Sequence, residues 1–226
     1  MQPSSKTPMF SEPNFEAMQG GLGNPVMQSQ AIFRAIMDAM ARPGTIIPVQ
    51  TDARPPASLI PLSGAIIATL ADADTPLWLD RKLADDKTLI EWLTFHVGAP
   101  LAVEPSQATF SVFSSGADLL PLEVFAKGSQ DYPDRSTTLI IQVEKLSNQR
   151  LWSLSGPGIK DSNDFAVEPI SPLFASQWAD NNDLYPRGVD VIVVAPDAIA
   201  CLPRTTKITV LDPKPLSKPA SKPEER

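Results

Sequence analysis

Residues 189–195, Val189-Asp190-Val191-Ile192-Val193-Val194-Ala195, decide the architecture of this chain. The run is apolar at every position but one, and it is dominated by β-branched side chains. A strand with one wet face alternates apolar with polar residues; a run without alternation reads as a strand covered on both faces. Such a strand needs a layer on either side, which points to helices packed on a central sheet.

The neighbouring segments extend that reading outward. Thr138–Val143 (TLIIQV) is a second β-branched run, and shorter extended stretches are expected at 109–113, 150–154, 207–211, Leu77-Trp78-Leu79 and 45–49. Helical spacing runs over 26–41, where Phe33, Met37 and Met40 share a face. Asn24 is placed to cap that helix, Pro25 to occupy its first turn, and Arg42-Pro43-Gly44 to stop it. Further helices are expected over 57–71, with Ile66, Ile67 and Leu70 inward, over about 86–96 behind Asp85 or Asp86, and over about 171–180. Helices and strands interleave, so the fold class is α/β, a mixed β-sheet with flanking helices, with α+β left open by hairpin candidates in the middle.

Composition sets the outer limits. The chain has 226 residues, of which 42% are apolar and 20% charged, enough for a packed core without disulfide or metal. Residues 1–14 and 212–226 (DPKPLSKPASKPEER) are too polar and proline-rich to repay their ordering entropy, and are expected to be disordered. That leaves 15–211 as a single domain. One cysteine, Cys201, excludes an internal disulfide and a CxxC zinc site, and one histidine, His96, excludes HExxH and multi-histidine metal sites, so no metal is expected. A net charge of −7 argues against a nucleic-acid surface. No apolar run is long enough to span a membrane, and the first residues lack the pattern of a secretory signal, so a cytoplasmic protein is expected. Twenty-four prolines against 11 glycines favour stiff turns over phosphate-wrapping loops.

The chemistry-bearing motifs are few. There is no GxxxxGK[ST] and no GxGxxG behind a strand; Gly20-Gly21-Leu22-Gly23 reads as a flexible lead-in to the first helix. His96 closes a helix, where it either packs and caps or serves as a general base. Cys201, in an apolar run, reads as a buried small hydrophobe. The acidic residues Asp72, Asp74, Asp85 and Asp86 read as loop and capping carboxylates.

Two segments are candidates for ligand binding. Leu202-Pro203-Arg204-Thr205-Thr206-Lys207 is rich in donors, and two readings stand level. Arg204, Thr205 and Thr206 hold an oxyanion or phosphate, or the segment starts a strand and Arg204 bridges to a carboxylate. A local echo lies at Pro133-Asp134-Arg135-Ser136-Thr137-Thr138. Ser155-Gly156-Pro157-Gly158 follows a strand as a tight turn; Gly156 and Gly158 admit positive φ or close approach by a ligand or a partner subunit, or the segment is a plain strand-ending turn. No nucleophile is set beside an obvious base. These residues therefore suit a binding module or a subunit, with a stand-alone enzyme acting on a phosphorylated small molecule as the alternative.

Taken together, five motifs carry a resemblance. They are Asn24-Pro25 followed by Gln30, Phe33-Arg34, Met37 and Met40-Ala41-Arg42-Pro43-Gly44; Leu70-x-Asp72-x-Asp74-Thr75; Ser155-Gly156-Pro157-Gly158-Ile159; Pro186-Arg187-Gly188-Val189-Asp190; and Leu202-Pro203-Arg204-Thr205-Thr206. In this order and spacing, over about residues 15–211, the chain resembles the H-subunit family of the phosphonate carbon–phosphorus lyase system. The resemblance implies a cytoplasmic subunit of a core complex with G, I and J subunits, acting with an L subunit, and a homodimer when isolated. That machinery joins an alkylphosphonate to the ribose of ATP with loss of adenine, forming alpha-D-ribose 1-methylphosphonate 5-triphosphate. The resemblance also implies a reduced relative of the pyridoxal-phosphate-dependent transferase fold without that cofactor, ATP and phosphonate being substrates of the complex. It assigns no catalytic residue to this subunit.

Overall fold

A computed structural model describes residues 18–211. The segments expected to be disordered, 1–14 and 212–226, lie outside the described residues, as do residues 15–17. The described elements run α1 (Pro25–Ala41), β1 (Ile47–Pro48), α2 (Pro61–Leu70), β2 (Leu77–Leu79), α3 (Arg81–Ala84), α4 (Lys87–His96), β3 (Phe110–Phe113), β4 (Thr138–Gln142), β5 (Lys145–Ser155), β6 (Asn163–Glu168), α5 (Phe174–Asp183), β7 (Asp190–Val194), β8 (Ala198–Leu202) and β9 (Lys207–Val210). Six strands form one sheet in the order β1-β8-β7-β4-β3-β2, and β6-β5-β9 form a second. In the first sheet β2, β3, β4 and β7 are parallel, with Ile140 opposite both Val112 and Ile192, and β8 runs against both of its neighbours. The fold is therefore α/β with a mixed sheet.

Period-two alternation of side chains explains why the apolar run had to be buried on both sides. Ile192 and Val194 on β7 face a helical layer with Ile32, Ile36, Ile66, Leu89 and Trp92. Val191 and Val193 face the opposite way, onto Trp152, Leu154, Phe165 and Val167 of the second sheet and Phe174 and Trp178 of α5. The central sheet thus has helices on one face and a small antiparallel sheet with one helix on the other.

Local chemistry sets the element ends. The Asn24 side chain accepts from the Met27 amide at 3.2 Å and Pro25 fills the first turn of α1. Asp86 accepts from the amides of Thr88 and Leu89 and starts α4. The second helix begins at Pro61, four residues later than expected. Proline disfavours a helical residue before it, and the extended lead-in is held by the buried side chain of Gln142, which donates to the Ser58 carbonyl and accepts from the Ile60 amide. The 171–180 expectation likewise shifts to 174–183, behind a turn through Pro172.

Three features were not expected. The strands β6 and β8 and the short helix α3 had not been anticipated. On α1 the grouping of Phe33, Met37 and Met40 does not give the core face: Ile32, Ile36 and Ala39 are buried, whereas Phe33 and Met37 are 51% and 53% exposed. The helix is apolar around much of its circumference, so spacing alone does not select the inner side. No helix among the described residues is long and apolar enough to cross a membrane.

Candidate functional site

The antiparallel hairpin of β7 and β8 pairs Val191 with Leu202. It therefore brings Asp190, at the start of β7, beside Arg204, just beyond β8. Asp190 is the single charged residue in the run that decided the fold, and a carboxylate at the mouth of a buried strand needs a partner. Arg204 supplies it. Its backbone amide donates to Asp190 Oδ1 at 2.7 Å, Nε donates to the same oxygen at 3.1 Å, and Nη2 donates to Oδ2.

The rest of the guanidinium is equally engaged. Nη1 donates to the carbonyls of Pro133 (2.8 Å) and Pro186 (3.2 Å), and Nη2 to Ser136 Oγ at 2.6 Å. A guanidinium has five N–H donors, and each of the five meets a protein acceptor. The side chain is 13% exposed. Of the two readings of this segment, the geometry is the bridge to a carboxylate, and it leaves Arg204 no free donor for an oxyanion. The echo between Pro133–Thr138 and Pro203–Thr206 becomes a contact: Arg204 reaches both Pro133 and Ser136.

Helix α5 closes the cluster from the side. Trp178 Nε1 donates to the Thr206 carbonyl at 2.7 Å, and Asn182 Nδ2 to the Arg204 carbonyl at 2.8 Å. Asn181 exchanges two hydrogen bonds with the backbone of Val189. Thr205 is half-buried. The Thr206 hydroxyl is buried and has no hydrogen-bond partner among the described residues.

The glycine turn meets the same cluster. Gly156 has φ +129°, and a Cβ there would sit 2.8 Å from the Thr205 carbonyl oxygen; Gly158 has φ +83°, and a Cβ there would collide with the Ala41 carbonyl oxygen. The backbones that approach these two glycines so closely belong to the chain itself. Asn163 Nδ2 donates to Pro43 O at 3.3 Å, and the Gly44 amide to Cys201 O at 3.2 Å. Segments 41–44, 133–136, 156–158, 186–190 and 202–206 therefore lock together. They do so at the amino-terminal end of the parallel strands, whereas open α/β sheets place ligands outside the carboxyl ends.

The other candidates lie elsewhere. The His96 ring packs 4.8 Å from Trp92 and 4.9 Å from Phe95, with Nε2 3.2 Å from the Gln19 carbonyl. Gly20–Gly23 is pinned rather than loose: Arg54 donates to Gly20 O at 2.8 Å and Gly23 donates to Asp52 Oδ1 at 3.1 Å. The Gly23 amide, with help from Gln28, holds the Asp52 carboxyl below its ordinary value. Cys201 is fully buried in β8, and burial, reinforced by the charge of Asp190, pushes its thiol well up. A cleft of about 490 Å³ opens beyond the carboxyl ends of β2 and β3, between Trp78, Arg81, Lys82, Phe113 and Asp118. Its Asp80 carboxylate already accepts from Leu83 N, Ser114 N and Ser114 Oγ. Among the described residues, no group of three or more His, Cys, Asp or Glu side chains could hold a metal ion.

Sequence reasoning named Arg204 but did not identify Asp190, Ser136 and Asn182 as its partners. One signal was available for Asp190: it is the lone charge in an otherwise apolar buried run.

Comparison with known proteins sets this architecture in a family. The family model described as "Bacterial phosphonate metabolism protein (PhnH)" matches residues 20–209. A protein of Rhizobium meliloti (strain 1021), named alpha-D-ribose 1-methylphosphonate 5-triphosphate synthase subunit PhnH, is 41% identical over 189 residues, covering 84% of this chain and 94% of that one. A protein of Stutzerimonas stutzeri, HtxG, named provisionally as a C-P lyase subunit protein, is 28% identical over 183 residues, covering 81% of this chain and 87% of that one. The chain belongs to the PhnH family of bacterial phosphonate metabolism proteins.

Proposed function

We propose that this chain is the H subunit of an alpha-D-ribose 1-methylphosphonate 5-triphosphate synthase, and that it acts in a multi-subunit carbon–phosphorus lyase complex rather than alone. The observation that carries the reading is the Rhizobium meliloti relative, which aligns over 94% of its own length at 41% identity and bears that name. Residues 15–211 form the functional domain. The partners are the G, I and J subunits, with the L subunit acting alongside, and the isolated chain is a cytoplasmic homodimer. The subunit has no resident cofactor; ATP and an alkylphosphonate are substrates of the complex, and adenine leaves.

The sheet supports the likeness to a reduced pyridoxal-phosphate-dependent transferase fold in one respect. It is largely parallel, with a single reversed strand, β8, set between β1 and β7. Within this reading, Arg204, Thr205, Thr206, Gly156 and Gly158 serve the complex by fixing a rigid face of the subunit. Arg204 orients the loops at 133–136 and 186–190, and a ligand or partner contacts those loops rather than the guanidinium. The test is copurification: an affinity-tagged chain from cells grown on methylphosphonate should bring down the G, I and J subunits in stoichiometric amounts. Recovery of the tagged chain alone, from cells that demonstrably contain those subunits, would overturn the proposal.

A further inference from the structure

Beyond the carboxyl ends of the parallel strands, two neighbouring continuations diverge. From β2 the chain runs into α3 and α4, whose Leu83, Leu89 and Trp92 pack in the helical layer. From β3, the next strand in the sheet, it runs to the opposite face, where Leu122 and Phe125 pack in the layer of the second sheet. The strand β4 leads into β5 on that same face, and β7 turns straight back into β8. Among the described residues, β2 and β3 are therefore the adjacent parallel pair that sends its chains to opposite faces. A crevice opens at such a divergence, and open α/β sheets take up their ligands there. The cleft of about 490 Å³ occupies this position, and its volume is that of a small-molecule site. It lies at the other end of the parallel strands from the Arg204 cluster.

Asp80 braces the crevice. Its amide donates to the Val112 carbonyl at 3.0 Å, and its buried carboxylate ties Leu83 of α3 to Ser114, the first residue beyond β3. The walls are thus held by the chain's own hydrogen bonds. Trp78 lines them half-buried, its ring 5.5 Å from that of Phe113 and 6.2 Å from that of Phe125. Arg81 and Lys82 are exposed on the wall that follows β2. Arg81 reaches Asp85 only loosely, at 3.7 Å with its side chain 95% exposed, so its fork is available to an anion. Asp118 is exposed on the wall that follows β3.

These groups match the three parts of a nucleotide. A planar base stacks on an aromatic ring, ribose hydroxyls donate to a carboxylate, and phosphate oxygens accept from a guanidinium and an ammonium. We infer that this cleft is a nucleoside triphosphate site, with the base on Trp78, the ribose on Asp118 and the phosphates on Arg81 and Lys82, Arg81 giving up its loose contact with Asp85. That the nucleotide is ATP rests on the proposed reading of the chain as a synthase subunit.

Titration of the full chain with ATP, followed by tryptophan fluorescence and calorimetry, tests this. The chain has four tryptophans, and Trp92, Trp152 and Trp178 are buried, so quenching by a stacked base reports on Trp78. ATP should bind saturably and quench. Arg81→Ala and Lys82→Ala should each weaken ATP at least fivefold while leaving adenosine binding and circular dichroism unchanged. Trp78→Leu should weaken ATP and adenosine alike, at least tenfold. Dideoxy-ATP, which lacks both ribose hydroxyls, should bind the wild type several-fold more weakly than ATP, and Asp118→Ala should erase that difference. No saturable binding at millimolar ATP overturns the inference, as does tripolyphosphate bound as tightly as ATP, or ATP binding that ignores all four substitutions. None of these results touches the subunit reading, which copurification of G, I and J decides separately; ATP bound as described by a chain that fails to copurify would uphold the cleft and overturn that reading.

Discussion

Asp190 and Arg204, fourteen residues apart, form a two-point ion pair in which both carboxylate oxygens accept from the guanidinium. The hairpin of β7 and β8 makes that pairing possible, and the remaining guanidinium donors carry the constraint to Pro133, Ser136 and Pro186. Removing one partner of a largely buried ion pair leaves the other charge uncompensated. Arg204→Ala should therefore destabilise the chain by about 3 kcal/mol, and Arg204→Lys by nearly as much, since an ammonium cannot reproduce the fork. Pairing Arg204→Met with Asp190→Leu should recover most of the loss. Urea unfolding reads all three; an Arg204→Ala cost under about 0.5 kcal/mol, the scale of an exposed pair, would contradict the clamp.

Thr206 lies next to that clamp, with its hydroxyl buried and without a partner among the described residues. A buried unpaired hydroxyl is destabilising relative to a methyl of the same shape. Thr206→Val is expected to raise stability by about 1 kcal/mol and to leave adenine release by the assembled complex unchanged. If stability rose while adenine release collapsed, the hydroxyl would be serving a ligand, contrary to the account.

Gly158 combines a left-handed backbone with the close approach of the Ala41 carbonyl. Gly158→Ala has to strain the turn and displace the end of α1 together, and should cost about 2 kcal/mol, more than the roughly 1 kcal/mol of a left-handed position with open space around it. Thermal unfolding measures it. An unchanged melting temperature would show that the contact between the glycine turn and α1 is loose.

How much of this the sequence disclosed follows from the range of each interaction. The apolar run 189–195 announced a two-sided strand because burial acts on every residue of it. Asn24 and Asp86 announced helix starts because capping is local. The strand β8 stayed hidden: Ala198, Ala200 and Cys201 have small side chains, and its pairing with β7 and β1 is tertiary. The inner face of α1 was ambiguous because Phe33 and Met37 are as apolar as Ile32 and Ile36, and only the neighbouring sheet distinguishes them. Arg204 could be recognised as a cation in need of a partner, but its choice of Asp190, Ser136 and two carbonyls depends on the meeting of three segments, 133–136, 186–190 and 202–206.

Asp86 joins two elements. Ser58 Oγ donates to it at 2.6 Å, and its other oxygen caps α4. The Ser58 hydrogen bond lowers its carboxyl below the ordinary 3.8, burial opposes the shift, and the Leu89 and Thr88 amides add to the lowering. A depressed folded-state value stabilises the fold above the ordinary value and loses that contribution as pH falls through the folded one. Asp86→Asn keeps a capping oxygen but not the charge, so its stability should decline less between pH 5 and pH 2 than that of the wild type, while Asp86→Ala should cost about 1 kcal/mol at pH 7. Parallel acid limbs for Asp86→Asn and wild type in urea titrations would refute the assignment.

The central claim is that the chain contributes to chemistry only as one subunit among several. It is tested most directly by following adenine release from ATP and methylphosphonate with purified G, I, J and L subunits, with and without this chain, and with this chain alone. The account predicts release from the complete set, loss of release when this chain is omitted, and none from the chain alone. Full release without it, or turnover by the isolated chain, would contradict the account.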